Sequence, residues 1–358
     1  MQNPAYELAI VGSTPLAGLL AGLLASEHRR RVVLVAEAST AFRLAQGFDL
    51  AAGPITRPET WALLRDGTKE TLKLIGRIGG RAAVRRIDPL FICEMEESAA
   101  ALSHMWHVAL GFGLAVERRT MPGVLPGVAF RARDVALLDR PTLGAALAGW
   151  HAKLGVQRLD AGNTNAVISR DGSVRLHAGG QTIEAAHAVL ADDIAVAAHI
   201  DDATSDPVLG LLPTTVMATE PTRKLAAPVM IYLDRGVSLM RSPGGSILAT
   251  SIGRGDAAPA MVGSCLAGHG PLKRVGQRVF RSVVTRDGGP LIESRAGRGA
   301  SLVAGLGMAG AFFAPALARL FAGVAGGGEA EYFSRRGAAG DRRMIADYVA
   351  PPAREART

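Results

Sequence analysis

Residues 7–37, ELAIVGSTPLAGLLAGLLASEHRRRVVLVAE, carry the reading on which the fold rests. The apolar run Leu8–Val11 leads into Gly12, small residues recur at Thr14, Ala17 and Ala21, and a second apolar run, Val32–Val35, stops at Ala36-Glu37. Strand, tight turn, helix, strand and acid in that order make the βαβ unit that binds a dinucleotide. Gly12 lets the chain turn sharply. Thr14 and Ala17 stand where glycines let backbone approach a pyrophosphate and let the helix pack on the sheet. The helix N-terminus offers free N–H groups and partial positive charge to phosphate. Glu37 is placed to accept hydrogen bonds from ribose hydroxyls and disfavours a 2′-phosphate. Gly12, Thr14, Pro15, Ala17 and Glu37 are the candidate cofactor contacts of this unit.

Residues 8–26 are apolar enough to imitate a membrane span. Ser13, Thr14 and Pro15 interrupt the run, and Glu7 precedes it where a signal peptide carries basic residues. No membrane span, signal or lipid anchor is expected, and the expected location is the cytoplasm. The chain has 358 residues, 48% of them hydrophobic and 20% charged, which suits a globular enzyme with a sizeable core. The net charge of +8 is spread along the chain and is not interleaved with its few aromatics, so no nucleic-acid partner is expected. Cys93 and Cys265 have neither disulfide nor zinc spacing and read as buried thiols. His104 and His107 share a helix face without a third ligand, so no metal site is expected.

Further along, the spacing predicts helices over residues 58–80, 94–114 and 140–154, and strands at 89–93, 124–133 and 156–159. Asn165–Ser169, Val174–His177 and Gln181–Ala185 read as a β-meander, and Ala188–Ala191 as a separate buried parallel strand. Alternating segments from Thr214 to Thr250 suggest an antiparallel sheet. Ser301–Ala304 runs into Gly305, Gly307 and Gly310 and then a helix at about 312–322. Glu94, Glu96 and Glu97 read as a charged first helical turn. Phe333–Arg336 with Arg342-Arg343 reads as a solvated basic run, with docking of a partner as the alternative.

Taken together these stretches resemble the FAD-dependent D-amino acid oxidase superfamily, which includes glycine oxidase, sarcosine oxidase and D-amino acid dehydrogenases. The resemblance rests on the Gly12 turn with Glu37, on Leu50–Ile55, on Arg140–Val156 with Ala188–Ala191, on Thr215–Pro221 with Tyr232–Gly236, and on Thr285–Ile292 followed by Val303–Gly310. It implies an α/β protein: a Rossmann-like FAD-binding domain of the glutathione-reductase type with an inserted antiparallel-sheet substrate domain. Residues 1–80, 140–205 and 285–330 are assigned to the FAD-binding domain, 81–139 and 206–284 to the substrate domain, and 331–358 to a C-terminal tail.

The resemblance further implies non-covalent FAD. Ala52 and Gly53 would run along the flavin, Ala191 would lie at the adenine-side strand, and Gly305, Gly307, Met308, Ala309 and Gly310 would bring backbone to the flavin edge that becomes negative on reduction. Arg281, one residue upstream of the customary position, would clamp a substrate carboxylate, with Arg286 as competitor. Three departures stand out. Asp192-Asp193 replace the usual Thr-Gly after Ala191, Phe280 lies where some members attach the flavin through cysteine, and Ala249 stands for an oxygen-activating lysine. The implied activity is oxidation of a C–N bond of an amino acid or secondary amine by hydride transfer to flavin. The implied partners are a small-molecule amine or amino-acid substrate and an electron acceptor. The alternatives are a flavoprotein that modifies side chains of a partner protein, a flavin monooxygenase, and a cofactor-binding subunit without turnover. A monooxygenase carries a Gly-Asp before the last glycine loop, where this chain has Val303-Ala304-Gly305.

Overall fold

Parallel strands meet antiparallel ones in this chain, as a computed structural model shows for residues 5–37, 44–120, 127–199, 208–222, 225–267, 273–286, 288–294 and 299–337, with Glu293 and Ser294 described by backbone alone. The first elements are β1 (Tyr6–Val11), α1 (Pro15–Ser26), β2 (Val32–Ala36), β3 (Asp49–Leu50) and α2 (Pro58–Arg77). Then come β4 (Val84–Ile87), β5 (Leu90–Cys93), α3 (Glu96–Gly111), β6 (Val116–Thr120), β7 (Val128–Ala132), β8 (Val135–Leu138) and α4 (Arg140–Leu154). The middle of the chain forms β9 (Gln157–Asp160), β10 (Thr164–Ile168), β11 (Val174–Ala178), β12 (Gln181–Leu190), α5 (Asp193–His199) and β13 (Leu209–Thr219). The rest forms β14 (Val229–Tyr232), β15 (Val237–Arg241), β16 (Ile247–Ile252), α6 (Ala258–Cys265), β17 (Arg274–Thr285), β18 (Leu291–Ser294), β19 (Ser301–Ala304), α7 (Ala314–Ala322) and α8 (Gly327–Ser334).

The first sheet is parallel through β19, β12, β1, β2 and β9. The hairpin β10–β11 and the strand β18 add to it antiparallel. β1 and β2 read as continuous apolar runs because helices cover them; Ala9, Ile10, Val33 and Leu34 are all 2% exposed or less. α1 is buried from Pro15 to Leu24. It packs beside α4 and α7, which explains its lack of a polar face. α4 begins where the Asp139 carboxylate accepts the Thr142 N–H and ends at Gly155, whose φ of 70° requires glycine. The second sheet runs β17-β13-β16-β15-β14-β5-β7-β6. One of its faces packs on α6 through Leu239, Ile247 and Ala249. The other joins the main core through Phe91, Phe130 and Ile231. β3, β8 and β4 form a small third sheet.

The structure departs from the sequence reading in several places. Gln181–Ala185 and Ala188–Ala191 are not two strands but one, β12. Its first half pairs with β11, its second half with β19, and β1 pairs along its other edge. The helix expected at 312–322 is a 3-10 turn, Gly307–Phe313, followed by α7. β17 was not expected at all. The stretch assigned to a tail is packed as far as residue 337: Tyr332 and Phe333 are buried and Arg336 is 0% exposed. The Arg336 guanidinium lies 3.5 Å from the Tyr332 ring centroid, donates to Thr60 Oγ1 at 3.2 Å, and approaches Glu59 at 3.7 Å. It is therefore not part of a solvated basic run; Arg342 and Arg343 lie outside the described residues. His104 and His107 are both exposed on α3. Among the described residues, no single helix is long and apolar enough to cross a membrane.

Two outcomes follow from this packing. A methyl on Gly67 in α2 would lie 2.2 Å from the Phe312 carbonyl oxygen of the 3-10 turn. Gly67→Ala should cost about 1–3 kcal/mol in urea unfolding, as overpacking does. His151, 0% exposed in α4, has its pKa pushed by burial from 6.5 down to about 4. Between those values the unfolded chain binds a proton that the folded chain does not, so stability falls as pH drops from 6.5 towards 4. The stability advantage of wild type over His151→Gln should shrink by roughly 3 kcal/mol across that window, at about 1.4 kcal/mol per pKa unit. Unfolding of both proteins at a series of pH values checks it.

Candidate functional site

Beyond Val11 the chain turns at Gly12, whose N–H donates to the Val35 carbonyl at 2.9 Å. The Ser13 N–H donates to the Asp192 carboxylate, and the Glu37 N–H donates to Ser13 Oγ at 2.8 Å. A Cβ on Gly12 would lie 3.0 Å from Ala17 Cβ and 3.2 Å from the Asp192 carboxylate, so glycine is needed for the close approach of the turn to both. Ala17 is fully buried behind the turn, and Ala191 follows β12 with its N–H on the Val11 carbonyl at 2.8 Å. Asp192 also accepts the Ala195 N–H at 2.8 Å. Burial raises the pKa of Asp192 against these two donors, and it pushes neighbouring Asp193 up to about 7. The departure at 192–193 is thus a buried acid, Asp192, tied to the turn, followed by Asp193, which accepts from Gln46 instead.

A cleft opens beside this turn. Gly12, Ser13, Thr14 and Pro15 line one end; Ala36 and Glu37 line the rim; Leu34, Leu143 and Leu147 form apolar wall; Arg140 and Arg158 supply positive charge. The Thr14 hydroxyl is buried with no hydrogen-bond partner. Pro15 opens α1 and has no N–H, so one of the orphan donors of the helix start is missing. Arg140 donates to the Asp49 carboxylate at 2.7 Å and to the Gln46 carbonyl at 2.9 Å. An adenine nucleotide fits this set of groups. The orphaned hydroxyl and the cations suit phosphate, Glu37 suits a ribose diol, and the leucines suit a flat base.

The 3-10 turn Gly307–Phe313 packs against α1, α2 and β3. That brings Gly307, Met308, Ala309 and Gly310 to the same region as the segment leading to Ala52 and Gly53. Ala52, Gly53, Ala309 and Gly310 are buried, Met308 is half-buried and Gly307 is exposed. Gly305 has φ 72°, and a Cβ there would press on Thr285 at 3.0 Å and on the Gly289 carbonyl at 3.2 Å. Its glycine is accounted for by chain packing in the protein itself.

β17 joins the two sheets. Arg278 pairs with Glu37 at 3.2 Å and lies 4.4 Å from the Phe280 ring centroid. Gln46 Nε2 donates to Ser282 Oγ at 2.5 Å, and Thr214 Oγ1 donates to the same oxygen at 2.6 Å. Arg278, Phe280 and Ser282 therefore share the face that looks toward the first sheet and Glu37. Side chains alternate along a strand, so Arg281 emerges on the opposite face, where it is exposed. The customary clamp position, one residue on, is Ser282. Arg286 is exposed next to the end of β17. Ala249 likewise faces α6, and Thr250 takes the other face of β16. Asp287 lies outside the described residues.

Sequence reasoning missed Arg158, His151, Arg278 and Gln46. The only signal was a titratable residue inside an apolar helix, as with His151 in α4.

No family model matches the sequence, and no curated protein matches it. Solved structures do match. The chain is similar to L-proline dehydrogenase from P. horikoshii, with a TM-score of 0.68 at 15% identity over 93% of this chain and 97% of that one. It is similar to glycine oxidase from Geobacillus kaustophilus, with a TM-score of 0.63 at 17% identity over 95% and 97%. It is also similar to L-amino acid deaminase from Proteus myxofaciens, with a TM-score of 0.70 at 12% identity over 93% of each chain. The two sheets, the glycine turn and these likenesses agree: the chain has the fold that these solved structures share.

Proposed function

We propose that this protein is an oxidoreductase that holds FAD non-covalently and oxidises a C–N bond of an amino acid or amine. The observation that carries the reading is the cleft at the Gly12 turn, where an orphaned Thr14 hydroxyl, Glu37, Arg140 and Arg158 converge beside an apolar wall. The parallel order β19-β12-β1-β2-β9 supports a glutathione-reductase-type nucleotide domain with the second sheet as an inserted substrate domain. Phe280 on the inward face of β17, with both cysteines buried, supports a non-covalent cofactor. The two buried thiols also support a cytoplasmic location.

When bound, FAD supplies the two-electron acceptor for amine oxidation. The chain supplies the rest. Glu37 would accept hydrogen bonds from the ribose, exchanging part of its pairing with Arg278. Arg140 would balance phosphate charge while Asp49 and the Gln46 carbonyl hold its guanidinium. Gly307–Gly310 would present backbone to the flavin. The inward faces of β13, β15, β16 and β17, with Thr214, Ser238, Thr250 and Ser282, form the floor over which the substrate lies and exclude water from it.

A second reading concerns the substrate. Ser282, hydrogen-bonded to Gln46 and Thr214, stands at the inward position where a guanidinium would grip a carboxylate. This favours an amine without a free carboxylate, among which a side chain of a partner protein is one class.

Purified protein should be yellow, and acid should release intact FAD. Gly12→Val should weaken FAD binding by about ten- to a hundredfold, the cost of roughly 1–3 kcal/mol of overpacking at the turn. Colourless protein that does not take up FAD would refute the reading. For the substrate, Arg281→Ala should leave kcat/KM within about twofold for the best substrate found, since an exposed side chain on the far face touches no reactant. A panel pairing amino acids with their decarboxylated amines should show the amines reducing the flavin at least as fast. A large loss in Arg281→Ala would restore the carboxylate clamp.

A further inference from the structure

Arg158 enters the nucleotide cleft from β9. Among the described residues no carboxylate pairs with it; its polar partner is His151, whose Nδ1 lies 3.3 Å from Arg158 Nη1. His151 is fully buried in α4, and its Nε2 lies 2.8 Å from the Gly18 carbonyl of α1. A carbonyl only accepts, so Nε2 carries the proton and Nδ1 offers a lone pair to the guanidinium. The imidazole is neutral around pH 7 because it is buried. A neutral acceptor orients the guanidinium without cancelling its charge. The flat face and the remaining N–H groups stay available to whatever fills the cleft.

Position within the sheet says which part of a nucleotide that is. The turn with the orphaned Thr14 hydroxyl follows β1, Glu37 follows β2, and Arg158 lies on β9. These three strands are neighbours in the sheet, at a spacing of about 4.8 Å. Phosphate, ribose and base follow one another in the same order in an adenine nucleotide. The wall beside Arg158 is Leu34, Leu143 and Leu147, apolar surface that suits a purine and does not suit a phosphate.

We infer that Arg158 recognises the base of this cleft's nucleotide by stacking its guanidinium on a purine ring, and that His151 is the positioning residue that holds Arg158 there. The inference rests on the nucleotide reading of the same cleft. It assigns the source of base selectivity to a side-chain pair that no backbone motif announces.

The test is calorimetric titration of the full chain, stripped of any bound flavin, with ADP and with UDP. The two ligands share ribose and diphosphate, so phosphate electrostatics cancel in the comparison. Wild type should prefer ADP by about tenfold, the scale of one base-stacking contact. Arg158→Ala should remove that preference by weakening ADP while leaving UDP unchanged, and Arg158→Lys should recover little of it because an ammonium has no flat face. His151→Gln keeps a donor for Gly18 and an acceptor for Arg158, so it should retain the preference. His151→Phe should lose it. An equal loss of ADP and UDP affinity in Arg158→Ala, or no loss, would overturn the inference. FAD titration of wild type separates the two readings. ADP preference without FAD uptake would sink the flavin reading alone. FAD uptake with ADP preference intact in Arg158→Ala would sink this inference alone. A wild type that takes neither ligand would sink both.

Discussion

Asp192 is 8% exposed, and its carboxylate accepts the N–H of Ser13 after β1 and the N–H of Ala195 in the first turn of α5. One side chain thus ties the C-terminal ends of β1 and β12 together. The Gly12 N–H on Val35 and the Glu37 N–H on Ser13 Oγ add the end of β2 to the same knot. Removing the carboxylate would leave two backbone donors without partners, at a cost of about 1–3 kcal/mol each where they are buried. The turn is therefore set by the protein before any ligand arrives. The cleft, the position of Glu37 and the approach of β17 to Glu37 all depend on it.

The joint between the two sheets is polar. Arg278 to Glu37, and Thr214 and Gln46 to Ser282, cross it on the inward face of β17. Asp193 lies at the same joint, against Gln46 and the backbone of Val283. Such a network specifies one relative placement of the sheets more sharply than apolar contact does, because each misplaced donor or acceptor is left unsatisfied. It also gives Glu37 a double position, on the lining of the cleft and in an ion pair with the second sheet, so that the cleft and that sheet share one side chain.

The βαβ unit at the N-terminus was legible because its strands are buried on both faces and its turn needs glycine. The helices at α2, α3 and α4 were legible from apolar spacing. β17 was not, because Arg274, Arg278 and Arg281 mask its pattern. Its inward arginine is satisfied by an acid more than two hundred positions away, and no local rule reports that. The outward face of Arg281 was hidden for a related reason. A one-residue offset reverses the face of a strand, so Arg281 is exposed and Ser282 turned inward although they are neighbours in sequence. Pairing in the sheet, rather than spacing along the chain, decides that question. The fusion of two expected strands into β12 was equally hidden, since its halves have different neighbours.

All the groups that line the cleft at the Gly12 turn fall between Gly12 and Arg158, whereas the strand that finishes the parallel sheet, β19, begins at Ser301. Chains emerge from the ribosome N-terminus first. The residues that line the cleft are consequently all made before β12 and before Asp192, the side chain that sets the turn. During that interval β1 is an open sheet edge, the situation that invites wrong pairing.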